Sequence, residues 1–277
     1  MNIVVEYRNG KPMVKTLETL CSALEENKQD ENLKIMDFFK SIDEEILSKH
    51  PDVTAGGLSS CHGYWYEAII SLIAWNHFAT NQASNLVIPL PNISQFDIST
   101  LYEEELSSYL SELKNKVMEI TGVSLISSNP DFVIISRNAV EGAKLKIQPL
   151  TATPENFKKI QDYHKGLVGC CGFEEIIGYL SVKTSLRSDR RLQICHEGSL
   201  FKSMYSHLKT RSWDINAKGI FYYAAATSLN ESDIKALRTV ATHSLSNVHE
   251  IPQSAVDAAY KADTLTSIYR MIDQISA

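Results

Sequence analysis

Residues 181–200 read Ser-Val-Lys-Thr-Ser-Leu-Arg-Ser-Asp-Arg-Arg-Leu-Gln-Ile-Cys-His-Glu-Gly-Ser-Leu, and they gather the side chains best suited to act on an anion. Lys183 closes an alternating stretch, Ile176 to Thr184, that reads as a strand. The alternation puts Ile176, Leu180 and Val182 on one face, and Ile177, Tyr179, Ser181 and Lys183 on the other. A lysine at the end of a mostly apolar strand is costly to bury unless it meets an anion. A polar turn follows, where Ser188 or Asp189 is expected to cap a helix from about Arg190 to Leu208. On that helix Arg190, Ile194 and Glu197 follow at spacings of four and three, so they share a face. Segment 183–191 carries Lys183, Arg187, Arg190 and Arg191 against Asp189 alone. Strand-end lysine, basic helix start and inward glutamate therefore converge as a site that accepts a polyanion, although the formal net charge of the chain is -6.

The elements that must hold this unit come from the rest of the chain. Its 277 residues are enough for a substantial core, and no linker or repeat divides them, so 1–277 is read as a single domain. Hydrophobic content of 44% and charged content of 22% are those of an ordinary soluble globular protein. No apolar run is long enough to cross a bilayer, and the opening Met-Asn-Ile-Val-Val-Glu-Tyr-Arg lacks the shape of a signal peptide, so a cytoplasmic protein with no membrane partner is expected. The five cysteines, at 21, 61, 170, 171 and 195, include no Cys-x-x-Cys pair and read as buried free thiols.

A short strand is predicted at 2–6 and a turn at Gly10-Lys11-Pro12. Amphipathic helices follow through Val14 to Leu24 and Leu33 to Ile46. Gly56-Gly57 is read as a break, after which Ser59 or Ser60 opens a longer apolar helix to Phe78 that contains Glu67. Val87 to Pro91 reads as an edge strand, Leu101 to Ile120 as a helix, and Asp131 to Ile135 as a strand after a break at Ser127-Ser128-Asn129-Pro130. Residues 138–175 read as a surface insertion with a helix near 154–166. Strands are predicted at Ile220–Thr227 and Thr239–Val248, and helices near 231–237 and 253–275. The expected fold is α/β, a mixed central sheet flanked by helices, with a helical N-terminal part.

Pro130-Asp131 at one strand start and Ser181-x-Lys183 at another strand's end form the skeleton of the PD-(D/E)-x-K nuclease site. A carboxylate pair binds a hard divalent cation through oxygen, and metal and lysine together act on a phosphodiester. The position that usually carries the second acid holds Ser181, so Glu197 on the following helix is expected to supply it. The arrangement of S-x-K, R-S-D-R and helix glutamate resembles the type II restriction endonucleases that cut at a CCGG core, including those reading purine-CCGG-pyrimidine. The resemblance extends over Ser128-Asn129-Pro130-Asp131-Phe132, over 181–200 and over Tyr222-Tyr223-Ala224-Ala225-Ala226-Thr227-Ser228. It continues in Ala241-Thr242-His243-Ser244, in Pro252-Gln253-Ser254-Ala255-Val256-Asp257, and at Trp65-Tyr66-Glu67.

That resemblance implies a restriction-endonuclease-like fold and a Mg2+-dependent enzyme. Asp131, Lys183 and Glu197 would be the catalytic residues, Asp131 and Glu197 the metal ligands, and Glu67 a supporting acid. It implies that Arg187, Asp189 and Arg190 read CCGG, since an arginine fork matches guanine O6 and N7 while an aspartate accepts from cytosine N4. The family often has proline where Ser188 stands, and some members share the serine. Arg211 is expected towards the outer base pair. The implied target is R^CCGGY in double-stranded DNA, cut to leave 5′-phosphates and four-base 5′ overhangs by a homodimer or homotetramer. Trp213 falls where the family places interface residues.

Other chemistries fit less well. His196-Glu197 lacks the second histidine of a zinc protease, since Leu200 stands in its place, and no Gly-x-Ser-x-Gly is present. His62, His207, His243 and His249 have no partners at ligand spacing, and the Tyr222-Tyr223 pair reads as core rather than base-stacking surface. The rivals to a restriction enzyme are a non-specific repair or recombination nuclease with the same metal core and a catalytically silent DNA-binding protein. Discrete fragments, a smear, or a mobility shift without cleavage separate the three.

Overall fold

The structure, a computed structural model, describes all residues except 27–31, 94–95, 126–128, 145, 215 and 247–250. His249, Ser127 and Ser128 lie outside the described residues. The chain opens with a hairpin of β1 (Val5–Arg8) and β2 (Lys11–Val14). Its turn is Asn9-Gly10, both with positive φ, the backbone that a two-residue hairpin needs. The turn thus precedes the expected one, and Pro12 lies in a strand of this two-stranded ribbon, where the missing donor is tolerated.

Three helices follow: α1 (Thr16–Glu26), α2 (Ile35–Lys49) and α3 (Ala55–Thr80). Gly56-Gly57 does not break α3 but forms its first turn, because Thr54 caps it by accepting from the Gly57 N–H. After β3 (Asn85–Pro89) come α4 (Glu104–Thr121), β4 (Phe132–Ser136), α5 (Arg137–Gly142) and α6 (Pro154–Asp162). The chain then forms β5 (Ile176–Lys183), α7 (Ser188–Arg211), β6 (Phe221–Ala226), α8 (Glu231–Leu237), β7 (Ala258–Lys261) and α9 (Leu265–Ser276).

The central sheet runs β3-β4-β5-β6-β7, antiparallel up to β5 and parallel from β5 to β7. A parallel pair needs a crossover, and α7 is the one between β5 and β6. On one face Val133, Ile135, Tyr179 and Tyr222 pack with Ile194, Phe201 and Leu208 of α7 and Leu106 and Leu110 of α4. On the other, Phe132, Ile134, Leu180 and Val182 meet Trp65, Tyr66 and Ile69 of α3 and Ile268 and Ile272 of α9. Burying each of these large side chains contributes roughly 1.5–3 kcal/mol.

Four expectations are corrected. Ile176 does not share a face with Leu180 and Val182. The ladder slips between Ile134 and Ile135, and this bulge turns Ile176 into the α7-side core. Residues 138–175 are not a surface insertion: Val140, Phe157, Ile160, Leu167 and Cys171 are fully buried, and Trp75 and Asn76 of α3 donate to the Gln148 and Leu150 carbonyls. The described part of 239–248 is a single 3-10 turn at Thr242–Leu245, not a strand. The fifth strand is β7, inside the stretch expected to be helical, and only its end, α9, is helix. Cys170 and Cys195 are half-buried; Cys21, Cys61 and Cys171 are buried, and all five thiols are free. Among the described residues no helix is long and apolar enough to cross a membrane.

Candidate active site

β5 presents the centre of the site, and the register with β4 explains why. Phe132 lies opposite Leu180, so Asp131, one residue before β4, arrives beside Ser181 and Val182. Its Oδ2 accepts from the Val182 N–H at 2.6 Å and from the Ser181 hydroxyl at 3.1 Å. Lys183 Nζ donates to both carboxylate oxygens, at 2.8 and 3.2 Å. The pair is largely withdrawn from water, with side chains 22% and 12% exposed for Lys183 and Asp131. Ser181, standing where a second acid was expected, thus works as a donor that fixes Asp131.

Glu67 comes from α3 on the other side of the sheet. Burial pushes its carboxyl up to about 7, the negative charge of Asp131 adds to the shift, and Lys183 opposes it. Glu67 therefore shares the electrostatic environment of the Asp131–Lys183 pair. Glu67 itself is half-buried.

Glu197 is 4% exposed on the inner face of α7. A buried carboxylate needs donors, and it has them: Gln193 Nε2 reaches Oε1 at 2.9 Å and the Tyr222 hydroxyl reaches Oε2 at 2.7 Å. Burial, then the Glu197 charge, holds the Tyr222 phenol far above its ordinary range, so it stays a donor; Asp131 contributes in the same direction. Tyr222 therefore binds Glu197 and feels the charge of Asp131. Gly198 lets α7 come this close: a Cβ there would stand 2.2 Å from the Ala255 carbonyl oxygen and 3.1 Å from the Tyr222 ring.

The start of α7 is exposed and basic. Arg187 occupies the cap position without a side-chain cap, in place of the capping expected from Ser188 or Asp189. Its guanidinium instead pairs with Asp189, at 3.3 and 2.9 Å, which holds the Asp189 carboxyl below its usual range. Arg190 donates to Gln193 Oε1 at 3.1 Å. Arg191 differs: it is tied to Asp233 at 2.7 Å, bracing α7 against α8. Arg211 is not brought to this cluster. It lies at the other end of α7, roughly 30 Å from Arg190 along the helix, paired with Glu112 and stacked over the Tyr109 ring.

The donor set suits a hard cation. Asp131 and Glu197 offer oxygen only, and a small divalent ion takes one or two carboxylates and completes its shell with water and phosphate oxygens. Among the described residues no group of three or more His, Cys, Asp and Glu is placed to hold a metal ion by itself. The remaining ligands would thus come from a phosphate substrate and solvent. Gln193, Tyr222 and Ser181 are the site residues that sequence reasoning missed. The i, i+3, i+7 spacing of Arg190, Gln193 and Glu197 was the one available signal.

Comparison with known proteins gives the family. Residues 1–276 match the family described as Cfr10I/Bse634I restriction endonuclease. The chain is 37% identical over 238 residues to the type II restriction enzyme Cfr10I of Citrobacter freundii, covering 84% of this chain and 83% of that protein. The crystal structure of the type IIF restriction endonuclease Bse634I with cognate DNA superposes with a TM-score of 0.85 at 28% identity, covering 99% of this chain and 97% of the other. A second structure of Bse634I restriction endonuclease gives the same TM-score and identity, with 99% and 96% covered.

Proposed function

The chain belongs to the Cfr10I/Bse634I restriction endonuclease family and is a site-specific type II enzyme, and on that premise we propose that it cuts double-stranded DNA at R^CCGGY. In this reading Mg2+ is the cofactor, and the products are 5′-phosphates on four-base 5′ overhangs. The observation that carries the reading is a single β5–α7 unit with two faces. Its inner face holds Lys183 against Asp131 and buries Glu197, while its outer end exposes Arg187, Asp189 and Arg190.

Water adds to phosphorus and the bond to the 3′ oxygen breaks, which leaves the phosphate on the 5′ end. Bound between Asp131 and Glu197, Mg2+ would supply Lewis-acid polarisation of the phosphate and a more acidic water. The Lys183 ammonium orients the attacking water and offsets charge on the phosphate oxygens, while Asp131 holds that ammonium in place. Tyr222 and Gln193 fix the Glu197 carboxylate. Glu67, with a carboxyl that titrates near neutrality, is the group able to exchange a proton at working pH.

At the outer end, Arg187 and Arg190 read guanine O6 and N7, and Asp189 accepts from cytosine N4. Arg187 and Asp189 are both exposed, so exchanging their mutual contact for base edges costs little desolvation. Arg211, held by α4, reads no base within the same chain's cluster. A palindromic target calls for a two-fold assembly, a homodimer or a homotetramer of paired dimers.

Digestion of a sequenced plasmid in Mg2+, with run-off sequencing of the ends, tests the proposal. Discrete fragments ending in 5′-CCGG with purine before the cut are expected. A smear would make the protein a non-specific nuclease, and binding without cleavage a silent DNA-binding protein.

A further inference from the structure

Between the outer readers and the inner carboxylate stands one side chain to which the proposed mechanism gives only a holding role. Gln193 is half-buried on α7, one turn after Arg190 and one turn before Glu197. Its Oε1 accepts from Arg190 Nη1 at 3.1 Å, and its Nε2 donates to Glu197 Oε1 at 2.9 Å. The amide has only one workable orientation. Guanidinium groups only donate and carboxylates only accept, so reversing the amide would face donor to donor and acceptor to acceptor. The contacts continue through Glu197 Oε2 to the Tyr222 hydroxyl on β6. A hydrogen-bonded line therefore runs from an exposed arginine to a buried carboxylate.

We propose that Gln193 is a positioning residue that couples the reading of a guanine by Arg190 to the orientation of the Glu197 carboxylate. This rests on the assignment above of Arg190 as a base reader and Glu197 as a metal ligand. Without DNA, Arg190 donates to Gln193 and the amide is committed at both ends. When Arg190 turns to O6 and N7 of guanine, Gln193 Oε1 loses that donor, and the amide turns with its Nε2 still on Glu197 Oε1, carrying that oxygen into the geometry of the loaded site. A wrong base leaves Arg190 on Gln193 and Glu197 in its resting orientation. Discrimination at this base then shows in the cutting step as well as in binding.

The test uses the full-length protein with Gln193→Met, which keeps length and helix propensity but removes both hydrogen bonds, and Gln193→Glu, which keeps an acceptor for Arg190 but sets a like charge against Glu197. Three quantities are read: single-turnover cleavage of a CCGG duplex as a function of Mg2+, metal-free binding of the same duplex by fluorescence anisotropy, and the melting temperature. Both variants should bind metal-free like the wild type and melt lower, since a buried carboxylate loses a donor, yet cut about 10–100-fold more slowly and need more Mg2+ for half-maximal rate. Combined with Arg190→Ala, Gln193→Met should cost less than the product of the two separate losses, because both break one line of contacts. Wild-type rates and Mg2+ dependence in Gln193→Met would overturn the proposal. Losses that simply multiply would leave Gln193 serving Glu197 alone, and a collapse of metal-free binding would make it a DNA contact; either result removes the coupling. Failure of the functional reading looks different, since the wild type itself would then leave the CCGG duplex intact.

Discussion

Lys183 donates to both oxygens of Asp131, and that geometry separates binding from chemistry at the level of single side chains. Lys183→Ala should lower the cleavage rate by about 10²–10⁴-fold or more, while Ca2+-supported binding to a CCGG duplex stays near wild type. Substantial cutting by this variant would remove Lys183 from the mechanism. Arg190 is exposed, so its loss should cost specificity rather than stability. Arg190→Ala is expected to cost about 1–3 kcal/mol of discrimination at one base pair. An equal weakening for all sequences, measured by competition binding, would make Arg190 a phosphate contact. Glu67 gives a pH signature. Its carboxyl rises from 4.5 to about 7 in the folded chain, so the folded state holds a proton that the unfolded chain releases between those values. Stability from this group is complete below the unfolded value and is lost as pH climbs through the folded one. Glu67→Gln is neutral throughout and escapes the loss. In EDTA its melting temperature relative to wild type should therefore be higher at about pH 8 than at about pH 4.5. A difference independent of pH would mean that Glu67 ionises freely.

The β5–α7–β6 crossover sets the site's precision, and its tightest point is Gly198, beside Glu197. A methyl group there meets the Ala255 carbonyl oxygen at 2.2 Å, a backbone atom that cannot swing aside. Gly198→Ala should cost about 1–3 kcal/mol or more in denaturant unfolding by forcing α7 off the sheet, and should reduce cleavage by displacing Glu197 from Tyr222. Unchanged stability would show that β6 and the 255 segment yield. This crossover was the most legible part of the chain, because strand alternation in 176–184 and the helix pattern from 190 onwards change period sharply at a polar turn. The meeting of Asp131 with Ser181-x-Lys183 was legible only through the motif, since register between strands far apart in sequence depends on pairing. Nor was the turn of Ile176 to the opposite face, which a bulge produces without a local signal. β7 was hidden because Ala258-Ala259-Tyr260-Lys261 favours a helix by composition and becomes a strand only on the parallel ladder of β6. Residues 138–175 were misread because their buried side chains are widely spaced and dock individually under α3 and the sheet. Tyr222 was rightly read as core, but its hydroxyl finds Glu197 only once α7 is folded over it.

For the molecule as a whole, the -6 charge and the exposed apolar surface make different demands. On the proposed reading one chain supplies one arginine–aspartate–arginine cluster and one set of catalytic carboxylates, whereas a palindrome has two half-sites and two strands to cut. On that reading the protein works as an assembly of copies, and the surface offers a place for one. Trp213 follows α7, is 88% exposed, and holds a φ of 54, a conformation uncommon for a residue with a side chain. An indole left in water by a strained turn forgoes the burial that usually offsets such strain, and aromatic anchors of this kind dominate protein–protein contacts. Trp213 also lies at the end of α7 far from Arg190, so an interface built on it leaves the base-reading cluster free for DNA. A second dimer docked there would hold a second duplex. Trp213→Ala is accordingly expected to keep the fold and lower the mass seen in sedimentation from tetramer to dimer. The same variant should lose any preference of the wild type for a plasmid with two sites over a plasmid with one. An unchanged mass would place the interface elsewhere. A wild type that sediments as a monomer and still cuts both strands in one binding event would refute the two-fold assembly itself.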